Sequence, residues 1–188
     1  MTNPKITKVL KELREYWIEN SVPNISDENA QYLCKLINES WSKNILEIWT
    51  ANWYSTICFA DELSKADWHI TSIEFSINSH NQAKENIVKA WLEKYITLIH
   101  GQALDIIPTF EKEIFDFIFI DWMKRRSKDF LELSLPKVKK WWIIVIDDVV
   151  KFKDKMESLY EYVKVNKIPY EVVMIDEDDW IMKIIKST

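Results

Sequence analysis

The chain has 188 residues and a formal net charge of −5, with an isoelectric point near 5.3. That length suits one well-buried domain, and the acidic balance excludes a broad nucleic-acid-binding surface. No apolar run is long enough to span a membrane and the start does not read as a secretory leader, so the expected location is the cytoplasm.

In chain order, Ile6 to about Glu19 carries apolar residues at helical spacing (Ile6, Val9, Leu10, Leu13, Tyr16). Ser21 to Ser26, with Pro23 inside it, breaks that helix. Ser26 or Asp27 can cap a second helix that runs to about Asn38. These helices form an expected cap, residues 1–43, outside the alternating core of residues 44–188. From Asn44 the pattern alternates between strands and helices. Strands are expected over Ile45–Ile48, Ile70–Glu74, Ile96–Ile99, Phe115–Ile120, Ile143–Ile146, Tyr170–Met174 and Ile181–Ile185. Helices are expected near Tyr54–Ala66, Ser79–Ala90, Lys128–Lys139 and Lys153–Asn166, with a short turn near Asp105–Thr109. The expected fold is therefore α/β: a Rossmann-like, doubly wound, mostly parallel sheet. Only Ile175–Trp180 separates the last two strands. They must pair as an antiparallel hairpin, because a parallel crossover needs a dozen or more residues.

The composition is anomalous. There is 1 Gly and there are 10 Trp, where average usage would give roughly 13 glycines. Core tryptophans should fall on the apolar faces of periodic segments, yet these mostly fall at breaks. Trp41 precedes the first strand. Trp68, Trp91 and the pair Trp141-Trp142 stand where helices pass into strands, and Trp180 follows Asp178-Asp179 where Asp-Gly would make a hairpin turn. Trp49 and Trp53 stand in the turn after the first strand, where glycine lets backbone approach a ligand. A gene whose UGA codons are read as glycine in its own cell, as in some bacterial lineages, produces this pattern when UGA is translated as Trp. Trp17, inside a helical pattern, fits that account least.

Ligands of doubly wound sheets bind beyond the carboxyl ends of the strands. The first strand ends at Glu47, and the next helix opens with Tyr54-Ser55, a nucleotide or nucleoside cradle. The second strand ends at Glu74, which can accept hydrogen bonds from both ribose hydroxyls or else serve as a helix N-terminal carboxylate. Gly101-Gln102-Ala103 follow the third strand and suit an adenine edge. Asp121 ends the fourth strand and Asp147-Asp148 the fifth. Three such carboxylates suit Mg²⁺ or a similar cation; a helix-capping role for Asp147 or Asp148 fits the spacing equally well. Lys124 is either a general base with a lowered pKa or a solvated lysine. Lys124-Arg125-Arg126-Ser127-Lys128 is a basic run that could hold a phosphate-bearing substrate. The histidines show no metal-ligand spacing, and Cys34 and Cys58 read as small core residues.

With Trp read as Gly, Leu46 to Ser55 resembles the first motif of S-adenosylmethionine-dependent methyltransferases. Gly101–Pro108, Phe115–Lys124, Trp141–Val149 and Asp178–Ile181 together resemble the cation-dependent O-methyltransferases of the catechol and caffeoyl-CoA type, over about Pro23 to Lys186. The resemblance implies that Glu47, Trp49, Tyr54 and Ser55 surround the methionine part of the cofactor. It implies that Glu74 holds the ribose, with Phe75, Gln102, Ala103 and Asp121 also on the cofactor. It implies a divalent cation on Asp121, Asp147 and Asp148, and catalysis by Lys124 with Asp121. This family usually has Asn where this chain has Asp148, and that extra charge bears on the choice of metal. The implied activity is O-methylation of a small-molecule hydroxyl, with a homodimer as the expected assembly and no membrane partner. A hydroxylated uridine in tRNA is the alternative acceptor. A non-catalytic Rossmann-like binding protein is the reading if the tryptophans are genuine.

Overall fold

A computed structural model of the chain describes residues 3–20, 24–49, 53–121 and 123–186. Two helices lead: α1 (Pro4–Asn20) and α2 (Asp27–Glu39). Ser26 caps α2 by accepting a hydrogen bond from Asn29 N, and Asp27 and Glu28 sit in the first turn, where negative charge suits the helix dipole. Then follow β1 (Asn44–Ile48), α3 (Tyr54–Ser64), β2 (His69–Glu74), α4 (Ile77–Ala90), β3 (Ile96–His100), α5 (Ala103–Ile106), β4 (Phe115–Ile120), α6 (Ser127–Ser134), β5 (Val138–Ile146), α7 (Glu157–Val165), β6 (Tyr170–Met174) and β7 (Trp180–Ile185).

The seven strands form one sheet in the order β3-β2-β1-β4-β5-β7-β6. The first five are parallel, and β7 runs antiparallel between β5 and β6. The chain winds outward from β1 through β2 to β3, then returns to lay β4 on the other side of β1. That reversal opens a crevice beyond the carboxyl ends of β1 and β4, where doubly wound sheets bind ligands.

Strand β4 shows why the sheet is covered on both faces. All six of its residues are buried, as expected for a parallel strand between two helical layers. Phe117 and Phe119 join Ile45, Ile70 and Val145 in the core beneath α1–α4. Ile118 and Ile120 join Leu46, Ile48, Ile144 and Ile146 in the core beneath α5–α7. Phe119 meets Phe59 of α3 edge-on, with ring centroids 5.7 Å apart, and burying such a side chain contributes about 1.5–3 kcal/mol.

Several boundaries differ from the sequence reading. The helix expected over Lys128–Lys139 ends at Ser134, because Pro136 cannot continue it and Val138 begins β5. Trp141 and Trp142 therefore lie inside β5 rather than in a helix-to-strand turn. Between Phe115↔Val138 and Phe117↔Ile143 the register with β4 shifts, and Trp141 sits in that bulge. The helix expected from Lys153 starts as a single 3-10 turn, Lys153–Lys155, before α7. Trp68 is not the left-handed residue after α3; Asp67 is, at φ 58°. Trp180 is the first residue of β7, opposite Met174, and not a hairpin-turn residue. Ser21–Pro23, Thr50–Asn52 and Trp122 lie outside the described residues.

Candidate active site

Strand register builds the site. Ile48 pairs with Ile73 and Ile120, and Ile120 with Ile146. The residues just past these strands therefore emerge at one level. The backbone N–H groups confirm the alignment: Trp49 N donates to Ile73 O at 3.0 Å, Asp121 N to Ile48 O at 3.3 Å, Asp147 N to Ile120 O at 3.0 Å and Gly101 N to Glu74 O at 2.9 Å.

Side-chain parity decides what each acidic residue meets. Glu47 alternates with Leu46 and Ile48 and so faces α3. Its neighbours in the sheet are Ser72 and Phe119. Ser55 Oγ donates to Glu47 Oε1 at 2.6 Å and Ser72 Oγ to Oε2 at 2.7 Å, while Thr56 Oγ1 also donates to Oε2. The carboxyl group is fully buried, and burial pushes its pKa up to about 7 despite the three hydroxyl donors. Glu47 thus fastens the start of α3 to β1. Tyr54 sits beside it with its hydroxyl donating to Asp27, which also pairs with Arg14.

Glu74 is buried at the end of β2 and accepts from Ser76 N at 2.7 Å. Phe75, Gly101, Gln102 and Ala103 line a cavity of only about 100 Å³ beside it. That is smaller than the several hundred Å³ typical of small-molecule pockets. Trp49 and Met123 line both this cavity and a second one of about 830 Å³. They form the partition between the two.

The larger cavity holds the carboxylates. Asp121, Asp147 and Asp148 each offer an oxygen, and the three lie within 4.8 Å of one another. Lys124 Nζ lies 2.6 Å from Asp121 Oδ1 and 3.0 Å from Asp148 Oδ2. Buried Asn29 of α2 donates to Asp147 Oδ1 at 3.0 Å. Burial raises the pKa of Asp121, against the opposing pull of Lys124. Burial and the Asp121 charge raise that of Asp147 well above the carboxylate range. Burial alone would lower the Lys124 pKa, but the three carboxylates outweigh it and raise it. The ion pairs with Asp121 and Asp148 favour the charged form of Lys124. The donor set is hard oxygen, crowded and buried, and it fits a divalent cation. Asp121, Asp147 and Asp148 are the residues that would hold one.

Sequence spacing gave no sign of other contributors. Asn29 has no motif around it. Its position becomes readable only when α2 packs over the end of β5. Ser26 Oγ donates to Asp176 Oδ2 at 3.0 Å, tying α2 to the β6–β7 turn, and both residues line the larger cavity with Asp179. Arg125, Lys151 and Lys155 line it too. His69, His80 and His100 lie outside its lining, and burial raises the thiol pKa of Cys34, to about 12, and of Cys58. Both thiols are free.

A family model described as O-methyltransferase matches residues 2–182. The chain belongs to this O-methyltransferase family. A crystal structure of an O-methyltransferase from Bacillus cereus in complex with SAH superposes with a TM-score of 0.80 at 25% identity, covering 95% of this chain and 91% of that one. Tapetum-specific methyltransferase 1 of Arabidopsis thaliana is 31% identical over 156 residues, 79% of this chain and 66% of the relative. A catechol O-methyltransferase of Mycobacterium tuberculosis is 25% identical over 127 residues, 68% of this chain and 57% of the relative. The chain thus aligns with about three fifths of the length of the curated relatives it matches.

Proposed function

We propose that the chain is an O-methyltransferase that uses S-adenosylmethionine to methylate a hydroxyl of a small molecule, with a divalent cation on Asp121, Asp147 and Asp148. The observation that carries this reading is the convergence of those carboxylates and Lys124 on one cavity of about 830 Å³ at the sheet's reversal point. Family membership and the SAH-bound Bacillus cereus neighbour support the cofactor. A cation bound there would lower the pKa of an acceptor hydroxyl and fix its oxygen. Lys124 and Asp121 are the side chains placed to receive and orient that hydroxyl, and Asn29 holds Asp147 in place. The wall of Trp17, Met123 and Phe152 gives an aromatic or apolar acceptor a face to pack on.

Arg125, Lys151 and Lys155 on the same cavity favour an acceptor that carries phosphate. A hydroxylated uridine in tRNA is such an acceptor, although the net charge of −5 weighs against a broad RNA surface.

The test is transfer of labelled methyl from S-adenosylmethionine to a catechol and to bulk tRNA, with Mg²⁺ or with EDTA. It is run on the chain as written and on the Trp49→Gly/Trp53→Gly variant. Transfer to either acceptor that Asp121→Asn abolishes supports the reading, and the preferred acceptor separates its two forms. A glycine variant that neither transfers methyl nor binds SAH overturns it in favour of a non-catalytic binding protein.

A further inference from the structure

Half of the non-glycine residues with positive φ are tryptophans. Among the described residues, Trp41 (φ 55°), Trp49 (76°), Trp53 (82°), Trp91 (61°) and Trp141 (67°) adopt this left-handed backbone, with only five residues of all other non-glycine types. For an L-residue this region costs about 1–2 kcal/mol, a penalty that glycine escapes. Bulky side chains belong there least. The chain's one glycine, Gly101, has φ 150°.

At three of these positions exposure leaves the side chain no packing role that would explain the choice. Trp41, Trp91 and Trp141 are roughly 70% exposed. Trp41 touches Trp68, and Lys5 lies over Trp91, but neither contact buries the indole. Around Trp91 the hydrogen bonds are those of a glycine-type helix stop: Trp91 N donates to Val88 O at 3.1 Å and Leu92 N to Ile87 O at 3.2 Å. The same pattern closes α2, with Trp41 N on Asn38 O and Ser42 N on Ile37 O, both at 3.1 Å. Trp53 opens α3 fully buried, and its indole N–H has no partner among the described residues, a cost of about 1–3 kcal/mol. Trp49 stands with Met123 between the two cavities of the site.

We propose that positions 41, 49, 53, 91 and 141 are glycine in the working protein, encoded by UGA codons that its own cell reads as glycine. Glycine at 49 removes the indole that, with Met123, stands between the two cavities and widens the passage from one to the other. Glycine at 53 removes the orphaned indole N–H and frees the turn into α3. The proposal is narrower than the composition suggested. Trp17 lies within α1 and Trp142 and Trp180 within strands, and neither these nor Trp68 has positive φ.

The deciding experiment is peptide mass spectrometry on the protein purified from its own cells, with sequencing of the gene. The tryptic peptides 36–43, 44–65, 90–94 and 141–151 carry the five positions. Glycine at all five over UGA codons is the expected result. Tryptophan at any of them, or UGG codons, overturns the proposal. Because this reads residue identity and not activity, it stays distinct from the methyl-transfer test. A chain with five glycines that binds no SAH would sink the proposed function and leave the recoding intact.

Discussion

The two halves of the site differ in what they ask of the chain. The proposed acceptor half, at the ends of β4 and β5, gathers Asp121, Asp147, Asp148 and Lys124 around a cavity of about 830 Å³. The proposed nucleoside half, at the ends of β1, β2 and β3, has Glu74 beside it but only about 100 Å³ of space. Carboxylate chemistry depends on side chains that many backbones can present. A cofactor cradle depends on backbone that passes close to the ligand, so bulky side chains at the partition, Trp49 and Met123, bear on its size.

The largest effect should come from opening the narrower half. Trp49→Gly, with Trp53→Gly, is expected to raise SAH affinity by roughly 100-fold or more, about 3 kcal/mol, measured by titration calorimetry. Equal affinity with and without the indoles would break the contrast between the halves. On the acceptor side, Asn29→Ala leaves Asp147 without its donor. Loss of such a supporting contact typically costs 10–100-fold, so binding of Mn²⁺, followed by its paramagnetic resonance, should weaken by roughly 10-fold. Unchanged Mn²⁺ binding would remove Asn29 from the site.

Glu47 offers a test by pH. Its folded pKa, about 7, lies above the ordinary 4.5, so the folded state binds the proton more tightly than the unfolded one. Stability then falls as pH rises from about 4.5 to about 7 and levels off above. Glu47→Gln should remove roughly 3 kcal/mol of that slope. Urea unfolding at pH 5 and pH 8 measures it, and a wild-type-to-variant difference that is the same at both values would refute the assignment. The smallest expected effect is at exposed turns far from either half. Trp91→Gly should stabilise the fold by about 1 kcal/mol by relieving positive φ. Trp17→Gly, inside α1, should cost about 1 kcal/mol instead. Thermal melts of the two variants should therefore move in opposite directions.

Much of the fold was legible because period-two and period-3.6 patterns report burial directly. Phe115–Ile120 and Tyr170–Met174 begin and end where their apolar, β-branched and aromatic runs do, and the short link before β7 forced the antiparallel hairpin. The carboxylates were legible because they follow strand ends, and parallel strands in register bring their ends to one level. Local pattern misled where tertiary pairing overrode it. A basic helix-like run hid the first residues of β5, because pairing with Phe115 pulls Val138 into the sheet.

The sequence alone determined the strand–helix alternation, the acidic strand ends and the excess of tryptophan at breaks, since each is a property of neighbours along the chain. Only the tertiary structure decided that Lys124 lies between Asp121 and Asp148, that Asn29 reaches Asp147 across 118 positions of sequence, and which tryptophans hold a glycine's backbone. Those depend on through-space charge, on packing between distant elements and on the φ that each closed turn imposes, and none of the three is written in local order.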